Sequence, residues 1–303
     1  MPSLSLAHPL DLPSTLLGGQ SFSWNPLSPT LFAGWIQSQP VQLQIKNYAL
    51  HWDNPALSPQ QIHHYLSLDL DLPALLQPHL ASDPHLSLAI QKFPGLRPLR
   101  EDPWECLANF ICSSLKQITQ IRQIHANLRA TFGGPTRQFP SPTTLAQAGE
   151  KALRQCALGY RARHLHATAQ RIADQPSLLS LPHSLPTPQA AAHLESLPGV
   201  GPKISRCVLL YAYGRSDSFP VDVWVDRLLR QLYFPKKRKP FRHADLELWS
   251  QKQFGCHRGL AQLLLFHWFR TQPKLSAPLD LGHPTTPKKI RRRLKLTTFP
   301  KNK

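Results

Sequence analysis

Between Gln20 and Asp53 apolar and polar residues alternate over short stretches, QSFSW, TLFAGWI, VQLQI and YALHWD, separated by Pro, Ser, Gly and Asn. A period of two puts successive side chains on opposite faces, so these stretches predict the antiparallel strands of a small sheet. The period then changes. SPQQIHHYLSL predicts a short helix with Ser58 as N-cap and Pro59 in its first turn. From Asp102 onward helical spacing dominates. DPWECLANFICSSL opens with an acidic cap and a proline and sets Leu107, Phe110, Ile111 and Leu115 at helical intervals, and Ile118, Ile121, Ile124 and Leu128 mark the next helix. Such stripes read as core. Residues 189–197 predict a helix stopped by Pro198 and Gly199, and another runs from Gly201 to about Tyr213, so a tight glycine turn joins the two. VWVDRLLRQLYF predicts a helix starting just after Asp222, FPKKRKPFRH a loop, and AQLLLFHWFR part of a last core helix. The order is α+β, an antiparallel sheet followed by helices, without internal repeats.

Composition adds a partner class. A chain of 303 residues with 41% hydrophobic content is long enough for two domains with cores of their own. Its formal charge of +18 favours a polyanion, because each neutralised phosphate releases condensed counterions. Residues 283–303, HPTTPKKIRRRLKLTTFPKNK, hold eight Lys or Arg and no acid and read as a disordered basic tail, yet the remainder is basic as well. The PKKIRRRLK run also suits a nuclear address. No apolar run approaches the roughly 18 residues of a membrane span, and MPSLSLAHPLDLPSTLL lacks the features of a secretion signal, so an intracellular protein with no membrane partner is expected. Cys106, Cys112, Cys156, Cys207 and Cys256 are odd in number and widely spaced. Reduced thiols, no metal and no cofactor follow as expectations.

The candidate chemistry lies in LPGVGPKISRC, residues 197–207. Gly199 and Gly201 permit unusual backbone angles, and the turn leaves amides of the next helix free to donate to a phosphate oxygen, a clamp that includes Val200. An ordinary helix–helix turn is the competing reading, and the basic charge narrows the gap. Lys203 sits in the first turn of that helix, where the positive end of the dipole disfavours an ammonium, and a neutral amine attacks a sugar C1′ or a carbonyl-like carbon to give a Schiff base. A lysine pairing with phosphate fits the spacing equally well. Asp222, 19 residues downstream, either stabilises a sugar cation and moves protons or simply caps its helix; a rigid capping carboxylate can do both. Cys207, four residues after Lys203, shares its helix face.

LPGVGPKISRC followed by FPVDVW resembles the helix-hairpin-helix, Gly/Pro-rich loop and aspartate signature of a DNA glycosylase superfamily, in which the lysine marks members that also cleave the abasic strand. GGQSFSW at 18–24, QKFPGLRPLREDPWECLANFICSS at 91–114, LGYRAR at 158–163 and GLAQLLLF at 259–266 are similar, in order, to one family within it, the 8-oxoguanine DNA glycosylases. The resemblance implies a TBP-like sheet domain over residues 1–98 and a helical glycosylase core over 99–282, ahead of the tail 283–303. It implies a monomer acting on double-stranded DNA that contains an oxidised purine, with a flipped nucleotide, attack by Lys203 at C1′ assisted by Asp222, a Schiff base and β-elimination. Carried over motif by motif, the Gly19 carbonyl accepts the N7 hydrogen that distinguishes 8-oxoguanine from guanine. Gln262 reads the base edge, and Phe266 stacks on the base opposite Cys207. Tyr160 and Arg161 match residues that wedge into the stack and contact the opposite cytosine.

Three positions depart from the family. Leu115, Lys116 and Gln117 follow ICSS where consecutive asparagines are usual, Gln120 replaces an arginine, and Trp224 replaces a histidine. Leu115 then becomes a steric wedge, with relaxed reading of the opposite base. No cysteine set follows the last helix, so no iron–sulfur cluster is expected. A glycosylase for another damaged purine and a noncatalytic DNA-binding module remain as alternatives.

Overall fold

The computed structural model describes residues 2–80, 83–236, 239 and 241–272. The basic tail 283–303 and part of the predicted 234–243 loop lie outside the described residues.

The alternating stretches form one antiparallel sheet of β1 (Ser3–Ser5), β2 (Asn25–Pro26), β3 (Leu31–Ile36), β4 (Gln39–Lys46) and β5 (Ala49–Trp52), in the order β1-β5-β4-β3-β2. Phe32 pairs with Leu43 and Leu43 with Trp52, all fully buried, so the register lines up one apolar face. Trp24, Leu12, Leu16 and Leu99 complete this core. QSFSW is not a strand. Its polar groups turn inward: Gln20 donates to the Thr15 and Arg97 carbonyls and accepts from the Leu99 amide, and the Ser21 and Ser23 hydroxyls bond each other. A loop bonded this way has no ladder to offer a neighbour. β1, only three residues long, was invisible to periodicity.

The helices are α1 (Leu12–Leu17), α2 (Pro59–Tyr65), α3 (Leu72–Leu80), α4 (Pro84–Lys92), α5 (Pro103–Cys112), α6 (Ile118–Phe132), α7 (Pro142–Leu153), α8 (Arg161–Asp174), α9 (Ser177–Ser180), α10 (Thr187–Glu195), α11 (Pro202–Tyr211), α12 (Val223–Leu232), α13 (His243–Phe254) and α14 (Arg258–Arg270). Several open on a side-chain cap followed by proline. Ser58 and Gln61 form a capping box at α2, and Asp83, Asp102 and Ser141 cap α4, α5 and α7. α3 and α4 bury Leu72, Leu76, Leu86 and Ala89 in the helical core, although they precede the α5 boundary in sequence. Among the described residues no helix is long and apolar enough to cross a membrane.

Two buried polar systems lock the sheet to the helices. Glu105 of α5 accepts from His125 (2.7 Å) and Arg129 (3.0 Å) of α6, and the Arg129 guanidinium lies 4.2 Å from the Trp35 ring of β3. Burial works against the Glu105 carboxylate, but His125 and Arg129 outweigh it and hold the group below its ordinary pKa. Trp24 Nε1 donates to Tyr65 Oη, which donates at 2.5 Å to Glu101. Among the described residues Glu101 has no cation partner, and burial, with Glu105 nearby, pushes it up to about 8.

Candidate active site

The turn ahead of α11 is closed by a Val200 amide donating to the Leu197 carbonyl at 3.1 Å. Gly199 has φ +78, and a Cβ there would lie 2.5 Å from Cβ of His164, so conformation and packing both require glycine. Gly201 differs. Its φ of −109 and ψ of −178 are extended and open to any residue, which corrects the expectation of unusual angles at both glycines. Nothing lies within 4 Å of a Cβ at Gly201, leaving the turn open to a partner from outside. Val200 is buried and anchors the turn. Among the described residues the amides of Gly199, Gly201 and Lys203 have no acceptor, as the first turn of a helix provides.

α11 then carries Lys203 and Cys207 into a cleft of about 970 Å³. The same cleft is lined by Gly19, Leu115, Lys116, Asp222, Gln262 and Phe266, residues drawn from four further parts of the chain. Lys203 Nζ donates to Ser113 Oγ at 2.9 Å and stands 4.7 Å from the Phe110 ring centroid. Ser113 in turn donates to the Phe110 carbonyl at 2.7 Å, which turns its lone pairs toward the amine. Asp222 is the N-cap of α12: Oδ1 accepts from the Trp224 and Val225 amides, both at 2.9 Å, while Oδ2 has no partner among the described residues. The cap fixes one oxygen and leaves the other on the cleft side without a partner among the described residues.

Of the residues expected to form a base pocket, Gly19 and Gln262 show properties that internal packing does not explain. Gly19 has φ +100, and a Cβ there would approach Ile118 Cδ1 to 2.8 Å. Its carbonyl accepts no hydrogen bond among the described residues. Gln262 of α14 is 5% exposed, yet its Oε1 has no partner there. An unmatched buried acceptor is costly unless a ligand satisfies it. Phe266 lies one turn further along α14, half-buried. Burial pushes the Cys207 thiol up to about 11, against the opposing charge of Lys203, so it lines the cleft as a neutral group.

Leu115 is not core. α5 ends at Cys112, and Leu115 follows in the left-handed region (φ +53) with 88% of its surface exposed, beside the half-buried Lys116. A helical stripe extrapolated past Cys112 fails because the helix stops there. Tyr160 and Arg161 lie outside the cleft lining. Tyr160 is 46% exposed, whereas Arg161 is 5% exposed. The Arg161 guanidinium donates to the Ser114 carbonyl, beneath the turn that displays Leu115, and packs 4.4 Å from the Tyr160 ring. Gln120 accepts from the Gln117 amide at 3.0 Å as part of the α6 cap. Ser113, Tyr211 and Arg270 also line the cleft and were not singled out by sequence reasoning; ICSS contained Ser113, but spacing alone does not bring it to Lys203. Among the described residues no group of three or more His, Cys, Asp or Glu side chains is arranged to hold a metal ion.

Residues 4–107 match the N-terminal domain of 8-oxoguanine DNA glycosylase, and residues 108–253 match the HhH-GPD superfamily of base excision DNA repair proteins. The N-glycosylase/DNA lyase OGG1 of Arabidopsis thaliana is 29% identical over 287 residues, covering 87% of this chain and 78% of the relative. The structure of MBOgg1 with a low-affinity DNA ligand superposes with a TM-score of 0.82 at 29% identity, over 88% of this chain and 94% of that one. The apo 8-oxoguanine glycosylase/lyase of Clostridium acetobutylicum gives 0.79 at 26% identity, over 88% and 95% of the two chains. The two profile matches abut in chain order across the sheet and the helical core that carries the cleft, and the chain belongs to the 8-oxoguanine DNA glycosylase family.

Proposed function

We propose that this protein removes 8-oxoguanine from double-stranded DNA and then cleaves the abasic strand. The observation that carries this reading is the convergence of Lys203 and Asp222 with Gly19, Gln262 and Phe266 in one cleft. A nucleotide must leave the stack to reach Lys203, at a cost of a few kcal/mol. The free amides of Gly199, Gly201 and Lys203 grip the backbone at that point, anchored by the buried Val200, and the exposed Leu115 enters the vacated space with Tyr160 beside it. Lys116 supplies positive charge at the rim, and Arg161 acts from beneath, holding the Leu115 turn.

In the pocket the Gly19 carbonyl accepts the N7 hydrogen, Gln262 pairs with the base edge, and Phe266 stacks on the base with Cys207 across from it. Lys203 attacks C1′ as the neutral amine, the glycosidic electron pair leaves with the base, and the departing base gains a proton. Asp222 Oδ2 stabilises the oxocarbenium-like sugar and takes the proton released from Nζ. Ring opening gives the Schiff base. Loss of a C2′ proton then expels the 3′ phosphate, and water releases Lys203. The sheet-bearing part, residues 1–98, supplies Gly19; the helical part, 99–282, supplies the rest. A DNA substrate supports an intracellular location, the nucleus if the source is eukaryotic and the cytoplasm or nucleoid if it is bacterial.

The test uses duplexes with 8-oxoguanine opposite each of the four bases, scored for strand nicking and for a borohydride-trapped adduct. Wild type nicks and is trapped, and Lys203→Gln binds the duplex without either product. Nicking of a different lesion alone refutes the substrate; binding without nicking refutes the enzyme.

A further inference from the structure

Arg270, the last residue of α14, sits in the cleft wall without a role in the chemistry described above. Its Nη1 donates to the Gly18 carbonyl at 3.3 Å, its guanidinium carbon lies 5.2 Å from the Phe266 ring centroid, and the Trp224 ring of α12 is 5.8 Å away. Trp224 carries Arg227 on its ring as well, at 5.0 Å. Arg227, Trp224, Arg270 and Phe266 thus form a ladder of alternating cations and rings along one wall, from α12 to α14. Each guanidinium–ring contact is attractive, and more so where water is partly excluded. Burial lowers the pKa of Arg270, and the nearby Asp222 carboxylate opposes that shift.

We infer that Arg270 is a positioning residue for the base pocket, fixing the Gly19 carbonyl and the Phe266 ring in the geometry that selects the base. Its hydrogen bond holds the peptide next to Gly19. A Cβ at Gly18 would lie 2.5 Å from the Ser14 carbonyl oxygen, so this peptide packs closely against the end of α1. With the Gly18 carbonyl held, the following peptide keeps the acceptor of Gly19 in the cleft. On its other side the guanidinium limits the tilt of Phe266. A planar group with five donors does both at once; a lysine ammonium can keep the charge and one bond but cannot lie flat on the ring.

This assignment rests on the proposed reaction and separates its two halves. An abasic strand presents no base to Gly19 or Phe266, so its cleavage depends far less on Arg270 than excision does. The experiment measures single-turnover excision of 8-oxoguanine and β-elimination on a preformed abasic site for wild type, Arg270→Met and Arg270→Lys, with thermal midpoints as a check on folding. Arg270→Met slows excision by about tenfold or more while abasic cleavage falls at least about fivefold less, and Arg270→Lys recovers part of the excision rate. Equal losses on both substrates, or no loss of excision, overturn the assignment. A wild-type protein inert on both substrates overturns the proposed reaction itself, and the assignment with it.

Discussion

Replacing Leu115 separates stability from activity in opposite directions. With φ at +53, this leucine holds a conformation that costs a residue with a Cβ about 1–2 kcal/mol, and with 88% of its surface exposed it gains little from the fold in return. Leu115→Gly relieves that strain but adds unfolded-state entropy worth about 0.5–1 kcal/mol, so the net change runs from near zero to about 1.5 kcal/mol more stable. A gain of 1 kcal/mol raises the thermal midpoint by about 1.5–2 °C in a chain of 303 residues. On DNA the balance reverses. Burying a leucine side chain contributes about 1.5–3 kcal/mol, so losing the wedge lowers the flipped population, and with it subsaturating single-turnover excision, by about 10- to 150-fold. Leu115→Ala keeps the strain and loses most of the wedge, so it slows excision without the gain in midpoint. The assay pairs calorimetric melting with excision from a matched duplex and from one with an abasic site opposite the lesion, where unstacking is cheaper and the deficit shrinks. If Leu115→Gly lowers the midpoint by several degrees, or excises within twofold of wild type, the strained-wedge reasoning is wrong.

Gln262→Leu removes the unmatched buried Oε1, so the thermal midpoint holds or rises while excision of 8-oxoguanine drops; a clear fall in midpoint shows that the amide is satisfied in the free protein. Gly19→Ala forces φ +100 on an alanine and presses a methyl against Ile118, costing about 1–3 kcal/mol and displacing the carbonyl acceptor. Excision then falls more than abasic cleavage, and equal falls argue against a base-reading role. Glu101 gives a pH test. Its folded pKa of about 8 exceeds the ordinary value, so the native state binds the extra proton, and the stability this gives is full at low pH and lost as pH rises toward about 8. Glu101→Gln mimics the protonated acid, and its advantage in melting midpoint over wild type should open between about pH 5 and about pH 8. A constant difference across that range means that Glu101 titrates normally.

The helices α5, α6, α11 and α12 were legible because each keeps a 3.6-residue apolar stripe and has a local start signal, a capping side chain or, at α11, the Gly201-Pro202 step. Three of the four strands expected by alternation formed for the same reason, since one buried face imposes a period of two. QSFSW misled because its alternation serves a loop whose polar side chains bond inward. The capping part of Asp222 was also readable: one carboxylate oxygen caps α12, and the other has no partner among the described residues.

Sequence by itself determined most element types, the basic charge and the glycine turn, because these are written in local spacing and residue chemistry, whereas Gly19, Gln262 and Phe266 were named through the family resemblance. Tertiary structure alone decided that Leu115 leaves the helix and stands exposed, that Arg161 lies buried under its turn, that Ser113 meets Lys203 across 90 positions, and that Arg270 touches Gly18 across 252. Those contacts depend on where a helix stops and on how helices from distant parts of the chain pack. Neither is encoded in a window of a few turns, since packing is settled only when all the apolar faces are buried together.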